Sequence, residues 1–193
     1  MKELLFGTNN AHKLEEIREM VGDRFVIRSL DAIGVKLDPE ETEDTLLGNA
    51  LLKARAFHQA SGLPCFADDT GLMVVALDGA PGVYSARYAG PGATYADNVQ
   101  KLLTALEGQS DRRAYFATVI AFVDGEREWH FEGRVEGAIT EAPRGGAGFG
   151  YDPVFQPEKS LQTFAEMSPE AKHEISHRGR AMRQFAQFLE AYS

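Results

Sequence analysis

The chain has 193 residues, 44% of them hydrophobic and 25% charged, the proportions of a globular protein with a sizeable core of its own. Twenty Lys and Arg against 29 Asp and Glu leave a formal charge of −9, and the basic residues are scattered, which argues against long nucleic acids and anionic membranes as partners. The single cysteine, Cys65, allows no internal disulfide, the start of the chain has no signal-peptide pattern, and no apolar run approaches the ~20 residues of a membrane span, so a cytoplasmic setting is expected.

Residues 3–7 form a short apolar run that stops at Thr8-Asn9-Asn10, a strand entering a turn. Leu14, Ile17, Met20 and Val21 then recur at helical spacing, and Phe25 to Leu30 reads as a second strand. An acidic loop, Asp38 to Asp44, leads to a helix capped by Asp44 or Thr45, with Leu47, Ala50, Leu51, Ala54 and Phe57 as its buried stripe. Gly62-Leu63-Pro64 ends it. Cys65 to Ala67 is a short strand running into Asp68-Asp69-Thr70-Gly71, and Leu72 to Leu77 continues extended. Residues 79–93 form an irregular Gly- and Pro-containing loop, and Tyr95 to Leu106 is helical. The β-branched and aromatic stretches Tyr115 to Val123 and Glu128 to Val135, separated by Asp124-Gly125, predict a hairpin. After the glycine-rich run 145–150 the chain ends in one long helix from about Pro169 to Ala191, with Met182, Phe185 and Leu189 inward. Alternating elements plus one antiparallel hairpin predict an α/β fold with a mixed sheet, as a single domain over residues 1–193.

Four segments carry candidate chemistry. In Gly7-Thr8-Asn9-Asn10-Ala11-His12-Lys13 a strand-to-helix loop turns backbone N–H groups toward an anion, and Lys13 adds a cation. The segment departs from a Walker A loop, because His12 stands for the second Gly and Leu14 for Ser/Thr; its plain alternative is a helix cap with a surface lysine. Asp68 and Asp69 at a strand end are suited to Mg²⁺, which prefers oxygen ligands; the alternative is an Asx turn. One acid of the run Glu40, Glu41, Glu43 and Asp44 would complete such a site, and Lys53 on the next helix either points into a cleft or snorkels to solvent. Gly148-Phe149-Gly150-Tyr151-Asp152-Pro153 combines close backbone access, aromatic faces and an acceptor, a set that suits a nucleobase as well as a turn with core aromatics.

His173-Glu174-Ile175-Ser176-His177 matches the H-E-x-x-H zinc motif, which on one helix would put both histidines on one face. The 16 residues beyond it hold no third histidine. The rival reading makes Lys172, His177 and Arg178 a cationic helix start facing an anionic or carbonyl-bearing ligand.

Five segments stand in a common order: Thr8 to Lys13, Ala67 to Gly71, Gly79 to Tyr88, Gly148 to Pro153, and Lys172 with Ser176-His177-Arg178-Gly179. On these the sequence resembles the inosine triphosphate pyrophosphatase (Ham1/RdgB-like) family over essentially its whole length. The resemblance implies a two-lobed α/β fold around an elongated mixed sheet flanked by helices, an active site in the interlobe cleft, and a homodimer. It implies Mg²⁺-dependent hydrolysis of ITP, dITP and XTP to the monophosphate and pyrophosphate, clearing deaminated purines from the nucleotide pool. Carried onto this chain, it assigns Thr8, Asn9, Asn10, Ala11, His12 and Lys13 to the triphosphate. Asp69 becomes general base and metal ligand, and Glu41 the second acid on the metal, with Glu40 left as an alternative. Thr70 would touch substrate. Phe149, Gly150, Tyr151, Asp152, Lys172, His177 and Arg178 would hold the base. Lys13 and Lys53 would offset charge on the leaving pyrophosphate. Asn9 stands where many members have Gly, and Thr70 replaces a commoner Ser. Two other readings stay in view: a zinc hydrolase built on His173 and His177, and a nucleotide-binding protein without catalysis.

Overall fold

The computed structural model describes residues 2–192. Seven strands form one mixed sheet: β1 Lys2–Phe6, β2 Phe25–Arg28, β3 Cys65–Val74, β4 Pro81–Gly82, β5 Arg113–Asp124, β6 Arg127–Ile139 and β7 Phe155–Pro157. Among the described residues five α-helices accompany them: α1 Ala11–Val21, α2 Leu46–Ser61, α3 Tyr95–Ala105, α4 Pro169–Ile175 and α5 His177–Ala191. The strand order is β2-β1-β3-β5-β6-β7, with β4 paired to β3. β1 runs parallel to both β2 and β3, while β4 and β7 pair antiparallel with β3 and β6. The predicted mixed α/β architecture is found.

The chain divides into two compact units, one of residues up to 69, 119–132 and from 181 onward, the other of 70–118 and 133–180. In the first, the path steps from β1 sideways to β2 and back past β1 to β3. Right-handed crossovers then put α1 and α2 on opposite faces of these strands. The side chains agree. Leu4 and Phe6 of β1 pack with Leu14, Ile17 and Val21 of α1 and with Met182, Phe185 and Leu189 of α5, whereas Leu5 packs with Phe57 of α2, Leu30 and Cys65. Phe66 is fully buried and stacks on Phe6 at 4.3 Å, with Phe185 at 4.6 Å from it; burying one such ring contributes about 1.5–3 kcal/mol. In the second unit Leu72, Val74, Val99, Leu102, Phe116, Val135, Phe155 and Phe164 form the core.

Three details depart from the sequence expectation. On α2 the cap is Thr45, one of the two residues expected, its side chain accepting from the Gly48 N–H, but the buried stripe is Leu46, Asn49, Ala50, Ala54 and Phe57, with Leu47 and Leu51 only half-buried. β3 does not end at Ala67 but runs through Asp68-Asp69-Thr70-Gly71 to Val74. The long C-terminal helix is two helices: Ser176 has extended backbone (φ −66°, ψ 154°), and its side chain accepts from the Gly179 N–H, which starts a new helix. The hairpin is present, its turn at Gly125-Glu126 with Gly125 at φ 62°.

Candidate active site

Successive side chains on a strand point to opposite faces. Because β3 is continuous through Asp68 and Asp69, the two carboxylates diverge instead of forming a pair, and each meets a lysine from a different helix. Asp68 receives Lys13 of α1, with Nζ 2.8 and 2.6 Å from its two oxygens. Asp69 receives Lys53 of α2 at 3.3 Å, and the same ammonium donates to Glu41 at 2.7 Å. Glu41 is half-buried and Glu40 exposed, so Glu41 is the acid that joins Asp69. The loop bearing it is held by Asn49, fully buried, which accepts from the Glu43 N–H and donates to the Glu43 carbonyl.

The charge balance around Asp69 is uneven. Burial is the largest influence and pushes its carboxyl up to about 6; Glu41 and Asp68 act in the same direction, and Lys53 only partly offsets them. Burial opposes the Lys53 ammonium, yet the charges of Asp69 and Glu41 outweigh it and raise its pKa. Asp69 Oδ2 is buried and has no hydrogen-bond partner among the described residues. An oxygen of this kind, beside a second carboxylate, suits a hard cation. No three His, Cys, Asp or Glu side chains converge as a metal group among the described residues. Glu41 and Asp69 would therefore supply two ligands, leaving the remainder to water and phosphate oxygens, as Mg²⁺ accepts.

The loop after β1 is built differently from the expectation of free amides. The Asn10 side chain caps α1, accepting from the His12 and Lys13 N–H groups, and the Asn10 backbone N–H donates to Thr8 Oγ1. Asn9 Oδ1 accepts from the Asp31 N–H, which ties the loop to the turn 31–33. Ala11 and His12 are exposed. The cap thus engages two amides of the helix start, and Lys13, already paired with Asp68, would meet a phosphate by sharing that carboxylate.

The second unit gathers the remaining predicted residues. Asp152 is buried, and its Oδ2 accepts from Lys172 Nζ at 2.5 Å and from the Phe149 N–H at 2.9 Å. Gly148 lies at φ 76°, and a Cβ there would collide with Asp152 Oδ2, so the turn closes only around glycine. Phe149 is 48% exposed, with Lys172 Nζ 4.8 Å and the Arg178 guanidinium 5.5 Å from its ring centre. Gly150 lies beside it at φ 62°. His177 is buried and stacks on Phe116 at 4.6 Å. Tyr151 differs from the expectation: it is buried, its hydroxyl donates to the Ser85 carbonyl at 2.7 Å, and burial pushes its pKa up. Thr70 shares a 2.7 Å hydrogen bond with the buried Thr118, a partner that the sequence reading missed because a lone threonine in an apolar strand gives no signal.

The break at Ser176 also disposes of the zinc motif. His173 belongs to α4 and His177 opens α5, so the one-turn spacing on a single helix that H-E-x-x-H requires is absent.

A profile of the Ham1 family matches residues 4–188. A protein named dITP/XTP pyrophosphatase from Porphyromonas gingivalis is 54% identical over 190 residues, covering 98% of each chain, and one of the same name from Flavobacterium johnsoniae is 48% identical over 189, again 98% of each. Among solved structures, a Ham1 protein from Staphylococcus aureus superposes with a TM-score of 0.94 at 38% identity over 100% of both chains. One from Coxiella burnetii gives 0.95 at 42% identity, over 99% of this chain and 100% of its own. With its motifs, its fold and these relatives in agreement, the chain belongs to the Ham1 family.

Proposed function

We infer that this chain is a nucleoside triphosphate pyrophosphatase that hydrolyses dITP, XTP and ITP to the monophosphate and pyrophosphate with Mg²⁺ as cofactor. The relatives' names support the substrate class. The observation that carries the chemistry is the Glu41–Lys53–Asp69 cluster, in which a buried carboxylate with a raised pKa keeps one oxygen unpartnered. A carboxylate poised near neutrality is suited to take a proton from water.

In this reading the Asp69 carboxylate removes the proton of a water that attacks the α-phosphorus, and the bond to pyrophosphate breaks as it leaves. Mg²⁺ held by Glu41 and Asp69 would neutralise phosphate charge and orient that water. Lys53 keeps the two carboxylates close without letting them repel, and Lys13, aimed by Asp68, meets charge growing on the leaving group. Thr8 offers a hydroxyl to the phosphates and Thr70 touches substrate. Arg178 and Lys172 present donors, which pair with the O6 carbonyl of hypoxanthine or xanthine but meet donor with donor at the 6-amino group of adenine. Phe149 supplies a face for the ring, and Asp152 fixes Lys172 beside it.

The cytoplasm suits a chain whose sole cysteine is buried and free, and no described helix is long and apolar enough to cross a membrane. A homodimer is the state implied by the family resemblance; analytical ultracentrifugation tests it. The deciding experiment is pyrophosphate release across ITP, XTP, dITP and the four standard NTPs with and without Mg²⁺. Rapid release from the first three and slow release from the rest supports the reading. Equal rates on ATP and ITP would overturn it.

A further inference from the structure

We propose that Tyr95 is a further substrate-binding residue that works with Phe149 as the second ring of a clamp around the substrate's base. The proposal deepens the base-reading assignment above and rests on it. Tyr95 opens α3 and is 60% exposed, and Phe149 is 48% exposed, so two large rings stand beside one another without burying each other. Their centres are 6.3 Å apart and their planes tilted by 43°. A flat ring held between two parallel aromatic faces needs about 7 Å between their centres, twice the contact distance of carbon atoms. The observed separation falls short of that and the planes are tilted, so the exposed Tyr95 would turn outward to admit the base.

The backbone beneath Tyr95 is fixed. Thr94 caps α3, its hydroxyl oxygen accepting from the Asp97 N–H at 3.2 Å, while Asp97 Oδ2 accepts from the Thr94 N–H at 2.8 Å. The ring is therefore presented from a rigid helix start and only its own rotamer is ordered on binding. The occupant is set by what surrounds Phe149. Lys172 and Arg178 lie within 5.5 Å of its ring, donors that fit an oxo-purine and would be unmatched by an apolar peptide side chain. Stacking on aromatic side chains tolerates any base, so Tyr95 strengthens base binding in general, and donors such as Arg178 select among bases.

Calorimetry of IMP and of inorganic tripolyphosphate in Mg²⁺ tests the clamp, because tripolyphosphate has no base to stack. Tyr95→Ala should weaken IMP binding by about tenfold, leave tripolyphosphate within about twofold, and be rescued by Tyr95→Phe. Phe149→Ala is the control. If it weakens IMP while Tyr95→Ala does not, the clamp is wrong and the base-reading assignment stands. If neither variant weakens IMP, both fall. Equal losses for IMP and tripolyphosphate in Tyr95→Ala would also overturn the proposal, since the residue would then act through the fold.

Discussion

Replacing Asp69 by Asn should separate catalysis from stability. The side chain is only 10% exposed, and burial, with Glu41 and Asp68 nearby, lifts its carboxyl from an ordinary 3.8 to about 6. The folded protein thus binds this proton more tightly than the unfolded chain, so Asp69 contributes stability at low pH that is lost as pH rises from about 4 to 6. Above that window the ionised group sits in the fold at a penalty of about 3 kcal/mol, the free-energy equivalent of the displaced pKa. Asn nearly keeps the shape and escapes the penalty, while Lys53 retains Glu41 at 2.7 Å. The displaced pKa already includes the 3.3 Å Lys53–Asp69 attraction, so the net stabilisation of metal-free protein at pH 8 is at most about 3 kcal/mol. At this chain length that raises Tm by at most roughly 6–12 °C. At pH 4 the wild-type carboxyl is protonated and the two proteins should melt together. Turnover should fall by about 100-fold or more with the base gone. Thermal melts of metal-free protein at pH 4 and 8, with pyrophosphate-release kinetics in Mg²⁺, measure both effects. A variant that melts lower at pH 8, or keeps more than about a tenth of wild-type kcat, refutes the reasoning.

Arg178→Ala should cut kcat/KM for ITP more than for ATP, narrowing their ratio by about 1–3 kcal/mol, whereas Lys13→Ala should lower both by similar factors, since every NTP carries phosphates. Steady-state kinetics on both nucleotides decide, and a ratio changed by Lys13→Ala alone reverses the assignment. His173→Ala should leave kcat/KM within a few-fold of wild type, because α4 ends before His177 begins; near-total loss with loss of stoichiometric zinc, read by elemental analysis, would restore the zinc reading. Gly148→Ala should lower ITP affinity by about tenfold or more, because its methyl group meets the Asp152 carboxylate at a φ of 76° that alanine resists. Calorimetry against ITP checks this, and unchanged affinity would mean that Asp152 does not organise the base-binding turn.

Much of the architecture was legible in the chain alone. Helical spacing in Leu14, Ile17 and Val21, the Asp124-Gly125 hairpin signal, and apolar strands bounded by turns are local patterns, and local patterns survive folding. Residue types at the site were legible for the same reason: a lysine after an Asn-capped turn, two acids on an apolar strand, glycines around an aromatic. What sequence could not supply was which group meets which. Asp68 and Asp69 are neighbours in the chain, yet the pleat sends them to opposite faces, and only the crossover handedness that sets α1 and α2 on those faces gives each its own lysine. Glu41 rather than Glu40 reaches Lys53 because the loop is pinned by Asn49. Tyr151 is drawn inside, where its hydroxyl finds the Ser85 carbonyl across 66 residues of chain. The apolar stripe of α5 runs on from a polar segment that propensity alone joins to it, and the break at Ser176 is made by a side-chain cap in competition with one more helical hydrogen bond. Such choices depend on contacts distant in sequence, and a periodic pattern carries no information about them.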